Sequence, residues 1–282
     1  MWHGVSPAAT TQFAADSSVD LDATQRVQTA LVDDGVDGLV LLGTVGENNS
    51  LLPDEKRAVL RGAVEALGGR VPLITGVSEL GTDRAVQYAK DAEAIGMNAL
   101  MVLPAMVYVP TSEELAAHLK AVAEATSLPV MLYNNPPAYR VTIDFDTLEK
   151  LAAIPNIVAI KESAPDSRRI TDVINRFGDR YTIMAGLDDV ALEAMLLGAS
   201  AAFERGDLEE ARRIYRWFMP LLHLDSDPDL VQSIKLAEQI MGRGSERVRM
   251  PRLPLSGARR AEVIAMVEKC AATRPTLTRA AA

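Results

Sequence analysis

The stretch PVMLYNNPPAYRVTIDFDTLEKLAAIPNIVAIKES, residues 129–163, decides the fold. Two short apolar runs, PVMLYN and IVAIKES, enclose a longer amphipathic one, Asp144–Leu151. Each apolar run has the length of a strand buried on both faces. A strand, a helix and a second strand in that order form the unit from which parallel sheets are built. The same alternation extends outward in both directions. Further short runs are VSPAAT (5–10), GLVLLG (38–43), VPLITG (71–76), ALMVLP (99–104) and TIMAG (182–186). Between them lie helical patterns at Leu21–Asp34, Pro53–Leu67, Thr82–Ile95, Ser112–Thr126, Ser167–Phe177 and Asp188–Leu197. Ser112 followed by two glutamates suits a helix start, and Pro53 a first helical position. Gly35, Gly68 and Gly96 suit helix ends.

Seven such units at a spacing of about 30 residues predict an α/β protein. A doubly wound sheet and a (β/α)8 TIM barrel compete. No G-x-G-x-x-G follows the first strand, and 282 residues suit the barrel. After Asp207 only helical patterns remain, at 208–222, 230–241 and 258–272, which predicts a C-terminal helical extension. The expected division is a catalytic barrel over 1–222 and the extension over 223–282, ending in a frayed tail, TLTRAAA.

Bulk properties narrow the function. The net charge of −9 argues against nucleic acid and anionic membranes as partners. The Arg168-Arg169 and Arg212-Arg213 pairs sit among acids and read as solvated faces. The apolar run NALMVLPAMVYVP is too short to span a bilayer and is broken by prolines. One cysteine, Cys270, allows no internal disulfide, and MWHGVSP is no signal peptide, so a cytoplasmic location is expected. His3, His118 and His223 show no ligand spacing and no G-x-S-x-G elbow is present, so neither a metal nor a serine triad is expected.

Reactive groups of a barrel gather at the carboxyl ends of its strands, where alternate residues point inward. Parity groups Ile157, Ala159 and Lys161, then Met131 and Tyr133, then Val40, Leu42 and Thr44. Imine chemistry needs a neutral amine, which burial favours. A lysine that snorkels or pairs with Glu162 is the plainer alternative. Tyr133 offers a hydroxyl for proton transfer, or is a satisfied core tyrosine. In Gly43-Thr44-Val45-Gly46-Glu47, two glycines free successive N–H groups to face a carboxylate, although most such patterns are turns.

GTVGE (43–47), LPAMVY (103–108), YNNP (133–136), IVAIKES (157–163) and AGLDD (185–189) together resemble the dihydrodipicolinate synthase / N-acetylneuraminate lyase family, from about Gly4 to Pro275. The resemblance implies a (β/α)8 barrel, usually a homotetramer (a dimer of dimers), that needs no cofactor. It implies a Lys161 imine with a small 2-oxo acid such as pyruvate and proton transfer by Tyr133. It also implies a Thr44 hydroxyl bridging to Tyr133 and a carboxylate held by the N–H groups of Thr44 and Val45. Gly43 and Gly186 belong to the same implied substrate site, with Asn135 and Arg140 as candidate specificity residues. The sequence departs from the synthase branch in three places. Val45 replaces a second threonine. Ala105-Met106-Val107-Tyr108 stands where a tyrosine pair supplies a hydroxyl to the neighbouring subunit, leaving Tyr108 as a displaced substitute. Ala138-Tyr139-Arg140 stands in place of R-T-G. The YNNP…YRV run, YRWFMPLLHLD (215–225) and GSERVRMPRLPLSG (244–257) are similar to members that deaminate 4-hydroxy-pyrroline-2-carboxylate or dehydrate 2-keto-3-deoxy acids. A dehydratase or deaminase is therefore the leading expectation. The synthase or a pyruvate aldolase is the alternative, and a catalytically idle barrel with a binding role is a third. Between Ser200 and Ala201 roughly 20 to 25 residues of the family pattern, including the eighth strand, are missing. A segment lost from the sequence as read is the expected cause, since a true deletion would open the barrel.

Overall fold

The computed structural model describes residues 2–104, 108–199 and 208–276. Six parallel strands form one sheet in sequential order: β1 Leu39–Leu41, β2 Leu73–Val77, β3 Ala99–Val102, β4 Val130–Asn134, β5 Ile157–Glu162 and β6 Thr182–Ala185. The helices that precede and separate them are α1 Leu21–Asp33, α2 Pro53–Leu67, α3 Thr82–Ile95, α4 Ser112–Glu124, α5 Pro136–Tyr139, α6 Phe145–Leu151 and α7 Arg168–Phe177. After β6 come α8 Ala191–Leu196, α9 Leu208–Ser226, α10 Leu230–Ile240 and α11 Gly257–Ala272.

The architecture is a parallel half-barrel with helices. It corrects the expectation of seven strands in this chain at one place. The first run, VSPAAT, is a single parallel bridge, Ala8 to Val40, on the free side of β1. The Pro7 carbonyl accepts the Val40 N–H and the Ala9 N–H donates to the Val40 carbonyl, both at 2.9 Å, and Pro7 has no N–H to extend the ladder on its own side. The expected gap between Ser200 and Ala201, where the eighth strand is missing from the family pattern, lies outside the described residues, as do 105–107 and the tail from 277.

Local chemistry explains the helices that frame the strands. Pro53 opens α2, and Glu55 turns back to accept the Leu52 N–H at 2.8 Å. Thr111, one residue before the expected Ser112, caps α4 and closes a capping box with Glu114. Gly96 ends α3 in the left-handed region at φ 102°. The helices bury one face each, for example Val59, Leu60, Ala63 and Leu67 of α2, against the outer side of the sheet. The inner side carries a separate layer of Val40, Ile74, Ala99, Met101, Met131, Tyr133 and Ala159. Two packed layers on opposite faces of one sheet leave the strand ends as the open place for chemistry.

Helices α9 to α11 share their own apolar cluster of Leu224, Leu236, Val263 and Val267. Polar bonds tie them to the half-barrel. Lys235 of α10 meets Glu47 at 2.6 Å with both side chains sealed from solvent. Arg249 meets Glu55 at 2.6 Å, and Arg243 meets Asp34. Residue 222, the expected domain limit, lies within α9. No helix among the described residues is long and apolar enough to cross a membrane.

Candidate active site

Lys161 lies near the carboxyl end of β5, in register with Tyr133 of β4 and Met184 of β6. Its Nζ stands 4.7 Å from the centre of the Tyr133 ring. Tyr133 is buried in the inner layer, and Lys161 is half-buried. Parity places both residues correctly but fails for Ile157. The register shifts so that Val130 pairs with Ile157 and Met131 with Ala159, which turns Ile157 to the outer core. Leu42 also lies in the outer core, because it sits past the end of β1 in the left-handed region at φ 52°.

Glu162 is not the partner of Lys161. It faces the other side of β5, accepts from Arg169 Nε at 2.7 Å and Asn134 Nδ2 at 2.7 Å, and is buried. Alternation along the strand thus separates the amine from its nearest carboxylate in sequence. Gly186 leaves room beside Lys161: a Cβ there would stand 2.8 Å from Lys161 Cγ and 2.2 Å from Ser163 Oγ.

The loop from Gly43 to Asn48 is held from several directions. Asn48 Nδ2 donates to the Leu42 and Gly76 carbonyls at 2.8 and 3.2 Å, and Thr11 donates to the Gly46 carbonyl at 2.8 Å. Gly46 is required by closeness, since its Cβ would stand 2.9 Å from the Leu42 backbone. Glu47 adopts φ 53° and is fixed there by Lys235 and by the Arg249 N–H at 3.0 Å. Among the described residues no backbone acceptor takes the Thr44 or Val45 N–H. Val45 turns its side chain into the protein, and Thr44 is half-buried.

Asn135 caps the single turn α5 by accepting the Ala138 N–H at 3.1 Å, and its Nδ2 donates to the Tyr133 hydroxyl at 2.9 Å. That turn returns Tyr139 to the site. Its ring meets Tyr133 edge to face, with centroids 5.7 Å apart, and its hydroxyl is hydrogen-bonded to the Thr44 hydroxyl. The expected Thr44–Tyr133 bridge is thus replaced by a Thr44–Tyr139 bond. Arg140 ends the turn at φ 57° and is exposed. Tyr108 is 57% exposed and donates to Glu114 at 3.2 Å on the rim of α4.

Two carboxylates that pattern reading gave no role lie close enough to Lys161 to feel its charge. Asp188 follows β6, and its carboxyl is raised chiefly by desolvation, against the pull of Lys161. Asp225 of α9 is raised to about 6, first by burial and then by Asp188, with Lys161 opposing. The end of α9 reaches this place because His223 contacts Asp189 at 3.2 Å. Asp225 comes from a helix 64 residues after Lys161, so no local motif announces it; Asp188 lies inside AGLDD, whose spacing was the one available signal. Among the described residues no group of three or more His, Cys, Asp or Glu side chains could hold a metal ion.

An amine, two phenols and a loop with free N–H groups at one end of a parallel sheet can bind a carboxylate and condense with the neighbouring carbonyl. Similarity to known proteins agrees with that chemistry. The model of the dihydrodipicolinate synthetase family matches residues 1–203. The 4-hydroxy-tetrahydrodipicolinate synthase 2 of Halalkalibacterium halodurans is 33% identical over 94% of this chain and 97% of its own. A dihydrodipicolinate synthase from Bacillus anthracis superposes with TM-score 0.91 at 29% identity, over 98% and 99% of the two chains. One from Acinetobacter baumannii, solved with pyruvate, gives 0.89 at 27%, over 96% and 99%. With its strand order, paired lysine and tyrosine, and full-length similarity all pointing the same way, the chain belongs to the dihydrodipicolinate synthetase family and is a class I, lysine-imine lyase.

Proposed function

We propose that Lys161 forms an imine with pyruvate or a close 2-oxo acid. The observation that carries this reading is the pairing of Lys161 with Tyr133 across β4 and β5, Nζ 4.7 Å from the ring. The neutral amine attacks the keto carbon, and Tyr133 moves a proton to the keto oxygen as the carbinolamine forms. The Thr44 and Val45 N–H groups hold the carboxylate against Gly43. Asn135 orients Tyr133, Gly186 gives the imine room, and Arg140 on the rim meets the far end of the substrate.

The imine acidifies the adjacent C–H, and the resulting enamine then attacks an aldehyde. The relatives named 4-hydroxy-tetrahydrodipicolinate synthase favour this addition over the elimination expected from the sequence. Elimination stays as a second reading for one reason: Asp225, raised to about 6 beside Lys161, suits donation of a proton to a departing hydroxyl or amine. The fold alone does not choose. The same proposal includes a cytoplasmic homotetramer, with 1–222 catalytic and 223–282 as its extension.

Incubation with pyruvate and with 4-hydroxylated 2-oxo acids, followed by borohydride, tests the imine. The expected result is a mass gain on the peptide carrying Lys161, lost in Lys161→Met. No adduct with any 2-oxo acid overturns the reading. Product analysis with pyruvate plus an aldehyde, against release of water or ammonia from the hydroxylated acids, separates the two reactions.

A further inference from the structure

The mechanism above uses one phenol, yet two stand in the site. Tyr139 reaches back from α5 over six residues, packs its ring edge to face on Tyr133, and joins the inner layer. Its hydroxyl finds the Thr44 hydroxyl, 95 residues earlier in the chain, on the loop that faces the substrate. Asn135 governs both phenols at once: its Nδ2 holds the Tyr133 hydroxyl and its Oδ1 caps the turn that presents Tyr139. Tyr108, the other tyrosine near this end, is exposed and turned to Glu114.

We propose that Tyr139 is a second proton-relay residue of imine chemistry, acting through Thr44, so that one chain supplies every hydroxyl of the relay. The inference rests on the reading of Lys161 as the imine lysine. In the carbinolamine, the C2–O bond breaks as the Thr44 proton passes to the departing oxygen. The Tyr139 proton passes to Thr44 Oγ1 in the same event, and the Lys161 nitrogen lone pair completes C=N. Water leaves, and the Tyr139 phenolate takes a proton from solvent. Charge balances, since a cationic iminium forms as the phenolate does. Desolvation, with the neighbouring Tyr133, raises the Tyr139 hydroxyl, so it waits protonated at neutral pH.

The test is the rate of borohydride trapping with pyruvate at saturating concentration. Tyr139→Phe keeps the ring and its contact with Tyr133 while removing only the relay proton. It should slow trapping by roughly 10- to 100-fold, the lower range of proton-transfer catalysis, with the pyruvate KM little changed. Thr44→Val should lose a similar factor. The double variant should be no slower than the slower single one, because both substitutions cut one path. Tyr108→Phe should match the unmutated chain. Trapping by Tyr139→Phe within twofold of the unmutated rate overturns the relay, as does a double variant showing the product of the two losses. A fall in Tyr108→Phe alone would place the hydroxyl there instead. Absence of any adduct in the unmutated chain is a different failure, that of Lys161 itself.

Discussion

Asp225 sits on a C-terminal helix, yet its carboxyl answers to Asp188 and Lys161 at the end of the sheet. Its ordinary value is 3.8 and its folded value about 6. Between these pH values the folded chain holds a proton that the unfolded chain has lost. Stability is therefore complete below the ordinary value and falls as pH rises through about 6. Asp225→Asn removes the charge at every pH. It should raise the melting temperature by roughly 2–4 °C at pH 7.5, where about 1 kcal/mol moves a chain of this size by that amount, and leave it unchanged at pH 4. Scanning calorimetry at the two pH values checks this, and an equal shift at both would remove the carboxyl from the cluster. The residue also marks where reading the sequence stops. Lys161 and Tyr133 were legible because a parallel strand fixes which residue ends it and which face that residue shares. Ile157 and Leu42 were misplaced because a bulge and a left-handed residue each break the period of two. Tyr139 is hidden in sequence because it lies in a turn, although Asn135 followed by Pro136 is a cap and a first helical position in the usual order.

At the scale of elements, the helices were the easiest to read. α2 and α3 carry one apolar stripe each with a proline or glycine at their ends, so local and tertiary preferences agree. The loop after β1 was read only in part. Its glycines free successive N–H groups to face a carboxylate, and its shape is held from α10. Lys235, lowered by burial and partly restored by Glu47, donates to Glu47 and to the Arg247 carbonyl at 2.7 Å, and lies over the Phe13 ring at 4.3 Å. Sequence spacing cannot show a bond between residues 188 apart. Lys235→Met leaves the Glu47 carboxylate sealed without its cation, a loss of about 3–5 kcal/mol. A melting temperature lower by roughly 10 °C is expected. Because Glu47 ends the loop that carries Thr44 and Val45, the pyruvate KM should rise more than kcat falls. Adding Glu47→Gln should recover part of the stability. Lys235→Met melting within 1 °C of the unmutated chain would mean that the pair holds nothing.

The whole molecule is two apolar assemblies, the half-barrel layers and the α9–α11 cluster, joined by charged bonds rather than by one continuous core. Such a joint usually lets parts move or melt separately. Here it is sealed: parting α10 from the loop after β1 exposes an ion pair and frees Glu238 from Thr10 and Gln12. The catalytic end also depends on both parts, since Asp225 arrives from one and Lys161 from the other. Cooperative unfolding of the two assemblies is the consequence, and the tryptophans report it. Trp217 belongs to α9, stacked on Phe218 and donating to the Cys270 carbonyl at 3.1 Å. Trp2 is the only other tryptophan. In Trp2→Phe, the emission of Trp217 follows the α9–α11 cluster, while far-UV ellipticity follows helices and strands throughout. The two midpoints should coincide within ~2 °C on heating, as for a two-state transition. Trp217 emission shifting well before the ellipticity falls would show that the α9–α11 cluster detaches first and that the sealed pair does not couple it to the sheet.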